Sequence, residues 1–324
     1  KIYIAGHNGM VGSAILRKLK KLGIKENYIL LRSKKELDLM DQLSVDDFFK
    51  NENIGFIFLA AAKVGGIVAN NDMPAEFIYN NIIIQSNIIN AAYKNNIKRL
   101  IILGSSCVYP RECKQPMKEE EFLNGYLEST NRPYAVAKIA GIEMIWAYNR
   151  QFLNSSITKS IAIMPSNLYG INDNYDLETS HVIPGLINKF HTAKKNKKKH
   201  VTIWGTGKPL REFTYVDDVA DACLHLLDLK DKIFFEISAS NRNHGLPPII
   251  NAGSSREVSI LNLSKIINEI VGFKGDIVFD ETMPDGTMRK VLDSTRIRKL
   301  GWIPKIDLEY GISEAYKDFL LKKN

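Results

Sequence analysis

Three glycines within seven residues, Gly6-His7-Asn8-Gly9-Met10-Val11-Gly12, follow the apolar opening run Ile2-Tyr3-Ile4-Ala5 and precede a helical pattern from Ser13 to Lys21. A turn this tight needs residues without a Cβ, and it leaves the first N–H groups of the helix free to meet an anion. Glycine turns follow strands in many proteins, so position decides. This one sits at the first strand-to-helix crossing of a chain that goes on alternating, which is where parallel sheets bind dinucleotides.

The alternation runs through the first half: Tyr28-Ile29-Leu30-Leu31, Phe56-Ile57-Phe58-Leu59-Ala60, Leu100-Ile101-Ile102-Leu103 and Ser160-Ile161-Ala162-Ile163-Met164, each separated by helix-length segments. Continuous apolar strands between helices predict an α/β chain with a doubly wound parallel sheet of the Rossmann type. After about Pro165 the rhythm loosens, with turn-rich stretches such as Asn241-Arg242-Asn243-His244-Gly245-Leu246-Pro247-Pro248. The expected division is a dinucleotide domain over residues 1–165 and a smaller, substrate-binding α/β domain over 166–324, with some chain exchange between them.

Composition narrows the function classes. At 324 residues and 45% hydrophobic content the chain can bury a sizeable core, and it contains no apolar run of about 18 residues. The opening residues read as a strand and turn rather than a signal peptide, so a soluble protein that does not enter a membrane is expected. Cys107, Cys113 and Cys223 cannot all pair and fit no zinc spacing, which points to a reducing cytoplasm, no disulfide framework and no metal. The net charge of +8 is spread along the chain except at Lys194-Lys195-Asn196-Lys197-Lys198-Lys199. That run lacks interleaved aromatics and reads as a solvated segment, not a nucleic-acid surface. A modestly basic enzyme with a polyphosphate substrate accounts for the charge.

Two further patterns carry chemistry. The second strand ends in Arg32-Ser33-Lys34-Lys35 rather than in an acidic residue, which favours a ribose 2′-phosphate and hence NADP(H). Tyr134 and Lys138 are four residues apart, so a helix places phenol and ammonium on one face, and the cation is expected to lower the phenol's pKa. Gly104-Ser105-Ser106-Cys107 follows the fourth strand, setting hydroxyls at the carboxyl edge of the sheet, where Ser105 can bond a substrate oxygen.

Together these residues resemble the extended short-chain dehydrogenase/reductase family. Ala61-Ala62-Lys63-Val64-Gly65-Gly66-Ile67, Gly104 to Pro110, Pro133 to Gly141, Ser180-His181-Val182-Ile183-Pro184, Arg211-Glu212-Phe213, Pro284-Asp285-Gly286-Thr287 and Arg289-Lys290 are similar to its GDP-L-fucose synthase branch, nearly end to end. That resemblance implies NADPH-dependent 3,5-epimerisation and 4-reduction of GDP-4-keto-6-deoxy-D-mannose. It assigns Tyr134 as proton donor, Lys138 as its partner and ribose ligand, Ser105 as oxygen positioner, and Cys107 with His181 as the epimerising pair. It adds Leu103, Gly104, Pro165, Asn167, Leu168 and His181 to the cofactor contacts. Val182, Lys189, Trp204, Arg211, Asp285 and Lys290 fall where the family holds GDP.

The chain departs from the family's pattern in three places. Position 189 is Lys where Arg is usual, Ser238 to Pro248 is longer, and 151 to 160 carries extra positions. A C4 reductase for another GDP-4-keto sugar, such as a 6-deoxyheptose, therefore stays open. The family also implies a homodimer, built from the segments around Ala75 to Tyr93 and Ala135 to Phe152.

Overall fold

A computed structural model describes residues 1–152, 158–239, 245–283 and 285–323. Parts of the two longer segments, 151–160 and 238–248, and Pro284 of the late motif lie outside the described residues.

In the first half β1 (Ile2–Ala5), α1 (Met10–Lys21), β2 (Ile29–Leu30), α2 (Gln42–Asn51), β3 (Phe56–Leu59), α3 (Ile67–Asp72), α4 (Pro74–Lys94), β4 (Arg99–Leu103), α5 (Arg132–Gln151) and β5 (Lys159–Pro165) alternate. The second half supplies β6 (Asn167–Tyr169), α6 (Val182–Lys195), β7 (His200–Trp204), β8 (Leu210–Tyr215), α7 (Val216–Leu227) and α8 (Asp231–Ala239). It continues with β9 (Ile249–Ala252), β10 (Glu257–Ser259), α9 (Ile260–Val271), β11 (Asp276–Asp280), β12 (Arg289–Lys290), α10 (Thr295–Lys299) and α11 (Leu308–Lys323).

The main sheet is wholly parallel, in the order β2-β1-β3-β4-β5-β9. Its strands read as unbroken apolar runs because successive side chains enter two different cores. Tyr3, Ile57, Leu59, Leu100 and Ile102 pack on one face with residues of α2, α4 and α5. Ile4, Phe58, Ile101 and Leu103 pack on the other with residues of α1, α7 and α8. Segments from the second half thus complete this sheet: β9 forms its edge, and α7 and α8 cover one face.

The remaining elements enclose a third core that includes Phe190, Phe213, Leu263 and Phe319. There β8 pairs with β6 and β12 in parallel and with β10 in antiparallel register, while β7 pairs with β11. In the main sheet the order reverses at β1, which has β2 on one side and β3 on the other, so the crevice for a ligand opens beyond the ends of β1 and β3.

Asn149, fully buried on α5, ties four elements together. Its Oδ1 accepts from the Tyr93 hydroxyl of α4 at 2.6 Å and from the Ser160 N–H at 3.0 Å. Its Nδ2 donates to the Ser160 and Ser238 carbonyls at 2.8 and 3.0 Å, reaching β5 and α8. Asn149→Ala removes these four bonds from a dry interior, leaving the Tyr93 hydroxyl only Ser160 Oγ, and the unfolding free energy falls by about 2–4 kcal/mol, read as a lower urea midpoint.

Candidate functional site

Beyond β1, Gly6 takes φ +88°, and a Cβ there would come within 2.6 Å of the Ala61 amide nitrogen. A Cβ on Gly12 would fall on the Gly6 carbonyl oxygen, so neither position admits a larger residue. The loop closes through Gly9 N–H donating to the Gly6 carbonyl at 3.0 Å. α1 begins without an acidic residue in its first turn and without a side-chain cap, so its positive end is unopposed. The buried His7 Nδ1 has no partner among the described residues. This cradle fits a dinucleotide pyrophosphate.

At the end of β2, Arg32 lies over the Phe48 ring and donates to the Glu52 carboxylate at 2.9 Å and to the Leu31 carbonyl at 2.8 Å. The neighbouring Ser33 N–H donates to Glu36 at 2.7 Å, and Lys34 is exposed. A 2′-phosphate at this corner would compete with Glu52 for the guanidinium.

The carboxyl end of β4 leads into the chemistry. Gly104 has no room for a Cβ against Met164, and Ser105 Oγ accepts from the Cys107 N–H at 3.3 Å. α5 brings Tyr134 and Lys138 to the same place. The buried Lys138 ammonium donates to the Leu103 carbonyl at 2.7 Å and stands 5.7 Å from the centre of the Tyr134 ring. Burial pushes the Lys138 pKa down to about 8, against an opposing pull from Cys107. Burial pushes the Tyr134 phenol up, and Cys107 adds to the rise. This corrects the expectation that the ammonium lowers the phenol's pKa. The ammonium is spent on the Leu103 carbonyl, desolvation is the largest effect, and the phenol keeps its proton.

Lys290 joins the cluster from the second half. The parallel register of β12 on β8 sets it opposite Arg211. Its charge acts on both Cys107 and His181, lowering the pKa of each. For the buried Cys107 thiol, desolvation outweighs Lys290, the Ser105 hydrogen bond and Lys138, and its pKa is raised. His181 stands at the N-cap of α6, where the surrounding protein and then Lys290 push its pKa below the ordinary histidine value. Its ring is therefore neutral at pH 7. The segment before it is docked by the loop after β3, whose Gly66 N–H donates to the Thr179 carbonyl at 2.9 Å.

The other candidates lie on α6, β7 and β8 and on the segments around them. Lys189 Nζ lies 5.6 Å from the centre of the Trp204 ring, which is 58% exposed, and Val182 is exposed at the start of α6. Asp285 accepts from Thr206 N–H at 2.9 Å and Oγ1 at 2.6 Å, and its charge partly offsets the lowering of the Arg211 pKa by burial. Pro165 ends β5, Asn167 donates to the Glu212 carbonyl at 2.9 Å, and Leu168 packs against the core shared with α7.

Sequence reasoning missed two carboxylates. Glu128 accepts from Thr130 and Asn131 at the start of α5 and acts electrostatically on Lys290; no motif marks it. Glu212, fully buried, accepts from the Ser255 and Leu292 N–H groups at 2.5 and 2.8 Å, and burial raises its pKa to about 7. It fastens the exit of β12, and its place inside Arg211-Glu212-Phe213 is the signal that could have found it. Among the described residues no group of three or more His, Cys, Asp or Glu is placed to hold a metal, and no helix is long and apolar enough to cross a membrane.

A model of the NAD dependent epimerase/dehydratase family matches residues 2–237. The chain belongs to this family. Within it the chain is 48% identical to the GDP-L-fucose synthase of Escherichia coli (strain K12) over 320 residues, 99% of this chain and 96% of that one. It is similar to the crystal structure of a GDP-6-OMe-4-keto-L-xylo-heptose reductase from C. jejuni, with TM-score 0.87 and 35% identity, covering 100% of this chain and 98% of that one. It is also similar to a GDP-mannoheptose C4 reductase from Campylobacter jejuni with NADP bound, with TM-score 0.85 and 36% identity, covering 98% of each chain.

The fold disfavours a charged Lys138, so stability should follow its protonation. With a folded pKa near 8 against roughly 10.4 unfolded, the penalty is full below pH 8 and relieved as pH rises from 8 to 10. Lys138→Met should therefore be about 1–3 kcal/mol more stable than the parent at pH 7, after allowing for the orphaned Leu103 carbonyl. In urea melts the difference should shrink toward pH 10.

Proposed function

We propose that this chain converts GDP-4-keto-6-deoxy-D-mannose to GDP-L-fucose, by epimerisation at C3 and C5 and NADPH-dependent reduction at C4. The observation that carries the reading is the gathering of Tyr134, Lys138 and His181 about one thiol: Cys107 acts on both Tyr134 and Lys138, and it shares the charge of Lys290 with His181. One protonated phenol suffices for a reductase. A histidine and a thiol in the same cluster add a base and an acid for carbon.

The loop from Gly6 to Gly12, with His7, Asn8, Met10 and Val11, would hold the pyrophosphate of NADPH. Arg32, Ser33 and Lys34 would meet its 2′-phosphate, Lys138 its ribose, and Leu103, Gly104, Pro165, Asn167, Leu168 and His181 its nicotinamide half. Bound there, NADPH supplies the hydride that reduces C4. Ser105 orients the C4 oxygen, and Tyr134, kept protonated by burial, donates its proton to that oxygen as it gains charge.

Epimerisation uses the same ketone, which acidifies the C–H bonds at C3 and C5. The neutral imidazole of His181 and the thiol of Cys107 remove and return protons on opposite faces, while Ser105 and Tyr134 stabilise the enolate oxygen. Lys290 reduces the cost of a thiolate at Cys107. Arg211, Lys189 and Lys290 meet the diphosphate, Trp204 offers a flat face to the base, and Val182 and Asp285 complete the wall.

The second reading, a C4 reductase of another GDP-4-keto sugar such as a 6-deoxyheptose, is favoured by the end-to-end similarity to the two heptose reductases. The higher identity to the Escherichia coli protein favours the first. We place the enzyme in the cytoplasm as a homodimer joined through the outer faces of α4 and α5.

Solvent exchange separates the two readings. In D2O without NADPH, the parent should label C3 and C5 of GDP-4-keto-6-deoxy-D-mannose, while Cys107→Ser and His181→Gln slow labelling about 100-fold or more. Tyr134→Phe should abolish most C4 reduction while labelling persists. A parent protein that incorporates no deuterium is a reductase only.

A further inference from the structure

Beyond the catalytic cluster, the second half of the chain reaches back to the nucleotide loop at Asn172, just after β6. Asn172 adopts φ +69°, a left-handed conformation that asparagine tolerates and most residues avoid. Its Nδ2 donates to the Asn8 carbonyl at 2.8 Å and to Ser13 Oγ at 3.4 Å. Its amide oxygen accepts from Lys322 at 3.3 Å, and its backbone N–H donates to Asp318 at 3.0 Å. Lys322 and Asp318 pair with one another at 3.2 Å on α11, and the Tyr175 hydroxyl also reaches Asp318, at 3.1 Å.

The peptide plane between Asn8 and Gly9 is consequently held on both sides. Its N–H, from Gly9, donates to the Gly6 carbonyl at 3.0 Å, and its C=O, from Asn8, accepts from Asn172. A loop that binds a pyrophosphate through backbone N–H groups gains affinity when its peptide planes are fixed before the ligand arrives, because less ordering is left to do on binding. Asn172 is itself anchored by Asp318 and Lys322 of α11, a helix packed into the third core through Ile312, Ala315 and Phe319.

We propose that Asn172 is a positioning residue for the cofactor loop, holding the Asn8–Gly9 peptide in its NADPH-binding orientation from a platform on the C-terminal helix. The inference rests on the reading that this loop holds NADPH. It also gives the link between the two halves of the chain a role in cofactor affinity.

Asn172→Gly isolates the side chain, because glycine adopts the left-handed backbone freely. Titration with NADPH, followed by calorimetry, should show affinity weakened about five- to tenfold, the scale of one lost hydrogen bond with its ordering cost. KM for NADPH should rise in step, while kcat at saturating NADPH and the affinity for GDP stay as in the parent. Asn172→Asp keeps the size and tolerates the same backbone but sets an acceptor against the Asn8 carbonyl, and should weaken NADPH further. If the Gly protein does not fold, the Asp protein decides. Parent-like affinity for NADPH in the Gly protein overturns the proposal, and so does an equal loss of NADPH and GDP affinity, which a general loosening of the chain would produce. A parent protein that binds no NADPH overturns the reading of the loop itself.

Discussion

Two ammonium groups, the buried one of Lys138 and the half-buried one of Lys290, act on one thiol, and the shifts of the site's titrating groups follow from desolvation and these charges. Each lysine is pushed toward its neutral form by burial, each eases the ionisation of Cys107, and the His181 pKa is lowered by desolvation and then by Lys290. For Tyr134 burial dominates, so the phenol stays protonated. Desolvation moves the imidazole, the phenol and the thiol each further from titrating near pH 7 than the free groups are.

The scaffold makes this arrangement from both halves of the chain. β4 and α5 deliver Ser105, Cys107, Tyr134 and Lys138 to the carboxyl edge of the main sheet, while Lys290 arrives on β12 through its pairing with β8. Glu212 holds β8 to Leu292, beyond β12, and to Ser255, beyond β9. The β9 edge of the sheet and the strand that carries Lys290 are therefore registered against one another by hydrogen bonds. Destabilising features at the site are supported by tight packing and satisfied polar groups elsewhere, as the four-way bonding of Asn149 shows.

The main sheet was legible because its signals are local. Four-residue apolar runs such as Phe56 to Leu59 and the glycines before α1 state strand, turn and crossing without reference to distant residues. The Tyr134 and Lys138 pair was legible for the same reason, since helical spacing alone sets them on one face. What the spacing could not reveal was the partner of the Lys138 ammonium, the Leu103 carbonyl 35 residues away, and so the direction of the phenol's shift was misjudged. Cys107, His181 and the wall from Trp204 to Lys290 were found through family resemblance, because their meeting depends on contacts between remote segments. Glu128, Glu212 and Asn172 escaped because each acts through backbone hydrogen bonds, which leave little trace in residue type.

The central claim, that one cluster both epimerises and reduces, is tested most directly by the stereochemistry of the product. Purified protein would be incubated with GDP-4-keto-6-deoxy-D-mannose and NADPH, and the nucleotide sugar assigned by proton NMR coupling constants. The account predicts GDP-L-fucose, inverted at C3 and C5 and reduced at C4. A product reduced at C4 with its original configuration at C3 and C5 would contradict it.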